Sequence, residues 1–201
     1  MNMAVETAGI PALIEARQHV APRRLVEPGP NDGQWLTLMR AAAAAPDHGR
    51  IHPWRFILVP QQARALLADA FAEAVLERDP GADAAQLDDA REKAARAPLL
   101  AVAICRFHTD ADDPIPDDER LISLGAAIQN MLVAAQSLGF ASGVTSGQAM
   151  ASKAMREVLG LKANERAVCF ISIGTATELK LGRARPAPQE LFSVLGQRVQ
   201  A

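Results

Sequence analysis

Between Asp117 and Leu138 the chain carries apolar side chains around nearly the whole circumference of a helix. They are Ile122, Leu124, Ala126, Ala127, Ile128, Met131, Leu132, Val133, Ala134 and Ala135. At 1.5 Å per residue this helix is roughly 30 Å long. A helix apolar on all sides cannot lie on a solvated surface, so it runs through a core or fills an interface. It is not a membrane span, because no run here approaches the roughly 20 consecutive apolar residues a bilayer requires. At 201 residues the chain has room for one well-buried domain, taken as 1–201, built around this helix.

The other segments alternate in type. Val5, Ile10, Leu13 and Ile14 suggest a first helix within Asn2 to Ala16. Asn31 or Asp32 caps a second through about Ala44, with Trp35, Leu38 and Met39 facing inward. Trp54 to Val59 reads as a strand stopped by Pro60, and Gln61 to Arg78 as a helix ended by Asp79-Pro80-Gly81. A strongly charged helix follows over Asp83 to Arg96. Leu99 to Cys105 and Ala167 to Gly174 are continuous apolar runs suited to strands buried on both faces. Gly139 closes the long helix, and Phe140 to Gly147 returns extended. Ser152 opens a small helix that stops near Leu159-Gly160, and an extended tail runs from Thr175. Helices outnumber strands and alternate with them, which gives an α+β or α/β sandwich rather than a bundle.

Charge and cysteine usage narrow the partners. Net charge is −2 with both signs interspersed, which leaves no electrostatic footprint for nucleic acid or an anionic membrane. Cys105 and Cys169 each lie inside an apolar run and read as buried free thiols, suited to a reducing cytoplasm. The N-terminus lacks a basic region followed by an apolar core, so the expected setting is cytoplasmic.

Chemistry concentrates in the stretch from Ala44 to Phe56, where Pro46 and Pro53 bracket Asp47, His48, Gly49, Arg50 and His52. Pro46 ends the preceding helix and Pro53 holds His52 extended, so this is a stiff, chemically loaded loop. His48 and His52 are four apart, but Gly49 and Pro53 oppose a helix and no Glu or Cys supports the pair. A metal module through these two histidines is therefore the weakest of the readings. Asp47 beside them is a turn carboxylate suited to bonding nearby backbone. Cationic or hydroxyl groups recur at Arg17 to Arg24, at Thr145-Ser146, and at Arg183 with Arg185. Such arginines are usually solvated surface; a fold that joined the first and third segments would make a phosphate site. No nucleophile elbow, Walker loop or dinucleotide fingerprint is present.

The ordered set of Arg17-Gln18-His19, Arg24 through Pro30, Ala45-Pro46-Asp47-His48, Pro53-Trp54-Arg55-Phe56, Leu138-Gly139-Phe140 and Ile173-Gly174-Thr175 resembles the nitroreductase family. It is nearest the short, single-domain bacterial branch of NAD(P)H nitroreductases, and the likeness covers nearly the whole chain. The resemblance implies an α+β fold with a central, mostly antiparallel sheet flanked by helices. It also implies an intertwined homodimer with two FMN sites at the subunit interface, which gives the long apolar helix a partner and the tail something to embrace.

Carried over by position, the Arg-Arg-Ser segment that holds the flavin phosphate and ribityl chain falls on Arg17, Gln18 and His19. The position before the Ala-Pro turn is Ala44, and the turn's histidine is His48. The Trp-Arg-Ser segment falls on Val144, Thr145 and Ser146, and the basic pair of the tail on Arg183 and Arg185. This chain departs from the pattern at Gln18, His19, Ala44, Val144 and Thr145, and His52 stands where Gln commonly precedes Pro-Trp. Three cationic contacts are thereby missing, with His19 and His52 alone able to compensate. The function implied is an FMN-dependent, ping-pong transfer of two electrons from NADH or NADPH to a nitro, quinone or similar small acceptor. The alternative is a flavin-storage or sensor homodimer of the same fold that does not turn over.

Overall fold

A computed structural model describes residues 9–108, 114–178 and 184–196. The elements run α1 (Gly9–Ala16), β1 (Leu25–Val26), α2 (Asp32–Ala43), β2 (Trp54–Leu58), α3 (Arg64–Arg78) and α4 (Ala84–Glu92). They continue with β3 (Leu99–Arg106), α5 (Asp117–Ser137), β4 (Ala141–Thr145), α6 (Lys153–Val158) and β5 (Glu165–Ala176). The expected helices and strands are all present with shifts of a few residues at their ends. The first helix begins at Gly9, and the earlier part of its expected range lies outside the described residues. The two-residue β1, pairing with the end of β5, is too short to leave a period in the sequence.

All strand pairs are antiparallel. β5, the longest, pairs β3 along one side and both β4 and β1 along the other, and β2 closes the far edge beside β3. Alternation divides the apolar residues of β3 and β5 between two layers. Leu99, Ala101, Ala103, Cys169, Ile171 and Ile173 face α2 and α5. Leu100, Val102, Ile104, Ala167 and Phe170 face α3, α4 and α6. This two-sided burial is why both strands read as unbroken apolar runs. Each fully buried Ile or Val contributes roughly 1.5–3 kcal/mol relative to exposure.

Asn31 caps α2 with a reciprocal bond pair to Gln34, and Asp83 does the same for α4 with Gln86. On α5, Ser123, Leu124, Ala127, Met131, Leu132 and Ala135 are buried at three- and four-residue spacing. Among the described residues the opposite side is left open near the start of the helix, where Ile122 is 68% exposed and Leu121 38%. Apolar residues all round α5 thus divide into a core face and an open one. Cys105 and Cys169 are buried free thiols, pushed up to about 11 by that burial. Among the described residues no helix is long and apolar enough to cross a membrane.

Gly143 decides how the N-terminal segment enters. His19 forms a parallel bridge to Ser142 and the Val20 N–H donates to the Ser142 carbonyl at 2.9 Å. A Cβ at position 143 would lie 2.1 Å from the Val20 carbonyl oxygen. Only glycine lets residues 17–22 lie flat on the edge strand β4.

Candidate flavin site

Laying residues 17–22 along β4 puts Arg17 within reach of the tail. Arg185 donates to the Arg17 carbonyl at 2.7 Å, so the first and third cationic segments do come together. The two guanidinium groups then share one neighbourhood. Burial, and after it the charge of Arg185, hold Arg17 below its usual value. Arg17 Nε is buried without a hydrogen-bond partner among the described residues. A buried, unpartnered donor on a cation beside a second cation lacks an anion, and the planar fork of arginine suits phosphate oxygens. Arg183 lies outside the described residues. Gln18 is half-buried and His19 is exposed, fixed through its backbone on β4.

Beyond Pro22 a cavity of about 380 Å³ opens between α3, the turn at 93–96 and the end of β4. Thr145 and Ser146 form one wall, while Val144 points to the other side of the sheet and packs on the α2–α5 core. Phe71 and Phe170, tilted with ring centroids 5.3 Å apart, lie among the cavity's apolar lining with Leu100. Ser172, 1% exposed, lines it too, and its hydroxyl has no partner among the described residues. Leaving such a group unpaired costs about 1–3 kcal/mol, which a bound polar ligand can offset. Arg78, Lys93 and Arg96 bring three positive charges to the same cavity. Sequence reasoning missed all three, since about 50 to 70 residues separate them from Thr145, an order of spacing at which no local pattern survives.

The loop from Ala44 to Phe56 is elsewhere. It feeds β2, at the opposite edge of the sheet from β4, with β3 and β5 between them. Three interstrand spacings are roughly 14 Å. Ala44 is the exposed C-cap of α2, and His48 Nδ1 lies 2.5 Å from Glu119 Oε2 at the start of α5. The prolines are not what fixes this loop. Asp47 Oδ2 accepts the His52 N–H at 2.7 Å, and Arg106 donates to the Ile51 and His52 carbonyls. These bonds hold Gly49, Arg50 and His52 at φ values of 69°, 53° and 45°. Pro53 therefore does not leave His52 extended, because the carboxylate and Arg106 override that preference. One chain brings Arg17, Arg185, Thr145 and Ser146 to one side, and leaves Ala44 and His48 on another. Among the described residues no group of three or more His, Cys, Asp or Glu could hold a metal ion.

The sequence profile of the nitroreductase family matches residues 17–175. A Haemophilus influenzae protein named "Putative NAD(P)H nitroreductase" is 32% identical over 78% of this chain and 83% of its own length. An Escherichia coli protein, "Putative NAD(P)H nitroreductase YdjA", is 30% identical over 76% and 81%. Among solved structures, a nitroreductase-like family protein from Bacillus cereus superposes with a TM-score of 0.77 at 23% identity, covering 94% of this chain and 97% of that one. The FMN and NADPH-dependent nitroreductase NfnB from Sphigopyxis sp. strain HMH superposes at 0.74 with 17% identity, covering 94% and 99%.

Proposed function

The chain belongs to the nitroreductase family, and from that premise we propose that it is an FMN-dependent oxidoreductase passing electrons from NADH or NADPH to a nitro, quinone or similar small acceptor. The observation that carries this reading is the buried, unpartnered Arg17 Nε beside Arg185. A flavin mononucleotide has a phosphate for that pair and, at its other end, a flat ring for the cavity at the far end of β4. The bound flavin would supply the redox chemistry, taking two electrons from the donor and giving them to the acceptor.

The chain's own residues then bind and orient. Arg17 and Arg185 would hold the phosphate, with Arg183 as a further candidate from the tail. Gln18 and His19 would serve the ribityl chain, and Thr145 and Ser146 the ring. The apolar lining at Phe71, Leu100 and Phe170 excludes water from one side of the site, which strengthens every charge interaction there. No side chain is required as a proton donor, since water reaches an acceptor at the open side. Donor and acceptor would use that side in turn, which gives ping-pong kinetics as the expected outcome.

Ala44 and His48 join this site only if a second copy supplies them. Leu36, Ile122, Leu191 and Phe192 are 55%, 68%, 71% and 65% exposed, and large apolar side chains left this open on α2, α5 and the tail support an interface. A homodimer packed through α5 and embraced by the tail would cover these residues and carry the partner's loop to the flavin. Sedimentation of the purified protein is expected to give twice the chain mass.

The visible spectrum of the purified protein tests the cofactor: a preparation that stays colourless after incubation with FMN would end this reading. A flavin-holding homodimer without turnover is the second reading, favoured by the absence of a cation at Ala44 and Thr145. Anaerobic NADH or NADPH separates them. Bleaching marks a reductase, and colour that persists with both donors marks a binder.

A further inference from the structure

Reduction places negative charge on the pyrimidine edge of a flavin ring, and fixed positive charge close to that edge makes reduction easier. The family pattern draws cations from the position before the Ala-Pro turn and from the segment ending the returning strand. Here those positions are Ala44, Val144 and Thr145. The cavity beside Thr145 and Ser146 instead gathers Arg78 from the last turn of α3 with Lys93 and Arg96 from the turn between α4 and β3. None of the three side chains makes an ion pair or hydrogen bond among the described residues.

The turn that presents two of them is held in place. Arg64, 5% exposed, donates to the carbonyls of Ala94, Arg96, Ala97 and Pro98 at 2.6–3.2 Å. Ala97 sits at φ 65° within that clamp. A buried guanidinium spent on four carbonyls of one short turn sets where Arg96 leaves the backbone. The same cavity carries the unpartnered Ser172 hydroxyl, so it offers a neutral hydrogen-bonding group within an apolar lining and unneutralised positive charge at its edge.

We infer that Arg78, Lys93 and Arg96 take over the electrostatic role of the missing cations: they form the positive edge against which the pyrimidine end of the flavin lies, and they raise its reduction potential. Ser172 supplies a hydrogen bond at the same end. This rests on the flavin reading above, and it predicts that the departures at Ala44 and Thr145 leave the flavin easily reduced.

The test is a potentiometric titration of the FMN-loaded protein, comparing wild type with Arg78→Gln, Lys93→Gln, Arg96→Gln and the triple variant. Lys153→Gln on α6, whose side chain does not line the cavity, serves as the control for net charge. The triple variant is expected to keep its flavin and to lower the two-electron equilibrium constant for reduction at least tenfold, about 30 mV. Lys153→Gln is expected to leave it unchanged. The half-buried Arg96 should give the largest single shift, and the shifts from exposed Arg78 and Lys93 should shrink as salt rises. A triple variant that binds flavin at an unaltered potential overturns the inference, and a higher KM for NADPH with that potential would assign the cations to substrate. An equal shift in Lys153→Gln overturns it as well. A wild-type protein that takes up no FMN removes the flavin reading itself, and this inference with it.

Discussion

Two half-buried arginines at opposite edges of the sheet show how differently this chain treats positive charge. Arg55 on β2 makes a bidentate pair with Glu165, both bonds 2.8 Å, and the carboxylate is 1% exposed. That pairing, aided by the Lys162 N–H, holds Glu165 down at about 2. Arg17, beside β4, has a second cation where Arg55 has an anion, and its Nε is left without a partner. A satisfied pair is part of the architecture; a buried donor left unsatisfied beside a second cation is a place for an anion to bind.

The difference should appear first in stability. Glu165→Gln is expected to cost roughly 3 kcal/mol, at the low end for breaking a buried pair because Arg55 retains partial access to water. The pH dependence has a definite sign. Glu165 is ionised when folded down to about 2 and its ordinary value is 4.5. Its stabilisation is therefore complete above pH 4.5 and is lost as pH falls from there toward 2. Urea unfolding of wild type should weaken across that window, and Glu165→Gln should lack that part of the slope.

Arg17→Met should behave in the opposite way. In flavin-free protein it removes a buried, unpaired Nε–H on a half-buried cation and a repulsion, so the urea midpoint is expected to hold or rise. Its FMN affinity should fall at least tenfold, since a hydrogen bond to a charged group is worth about 1.5–3 kcal/mol. Arg185→Ala should show the same split. If Arg17→Met instead destabilised the free protein as much as Glu165→Gln, the two arginines would be alike after all and the phosphate site would lie elsewhere.

A third contrast lies between the two backbone devices that position these regions. Gly143→Ala would drive a Cβ to 2.1 Å from the Val20 carbonyl. Overpacking of that kind costs typically 1–3 kcal/mol, and here it also lifts Arg17 off β4, so FMN uptake should fall with stability. Asp47→Ala, which frees the His52 N–H, should cost about 1 kcal/mol, the scale of a lost local hydrogen bond. It should leave Arg17 in place.

What was legible in the sequence divides along the same line. The helices and strands could be read because each rests on a local period: three- and four-residue spacing along α5, unbroken apolar runs for β3 and β5. The resemblance led to Arg17 and Arg185, and folding supplied the contact between them. Nothing local pointed to Arg64 clamping the turn at 94–98, to Ser172 as an orphaned hydroxyl, or to Arg78, Lys93 and Arg96 meeting across the cavity. Each is a product of which side of β5 a residue faces and which distant element packs there. The proline-bracketed loop misled for a related reason. Prolines fix the conformations next to them, but the left-handed run at Gly49, Arg50 and His52 is imposed by Asp47 and by Arg106 from β3.

His48 gives the smallest effect within one chain and the sharpest test between chains. Its contact with Glu119 is an exposed pair, a class worth about 0–1 kcal/mol, so His48→Ala should barely move the urea midpoint. Any loss of FMN affinity in that variant would have to act through a partner subunit, because within the chain the loop lies across the sheet from Arg17. Mixing decides it. If each site takes Arg17 from one subunit and His48 from the other, a dimer of one Arg17→Met chain and one His48→Ala chain has one site with both defects and one with neither. Unfolding and refolding the two variants together should then restore wild-type affinity to about a quarter of the sites, since random pairing makes half the dimers mixed. No recovery would place both residues of each site in the same chain, against the topology that separates β2 from β4.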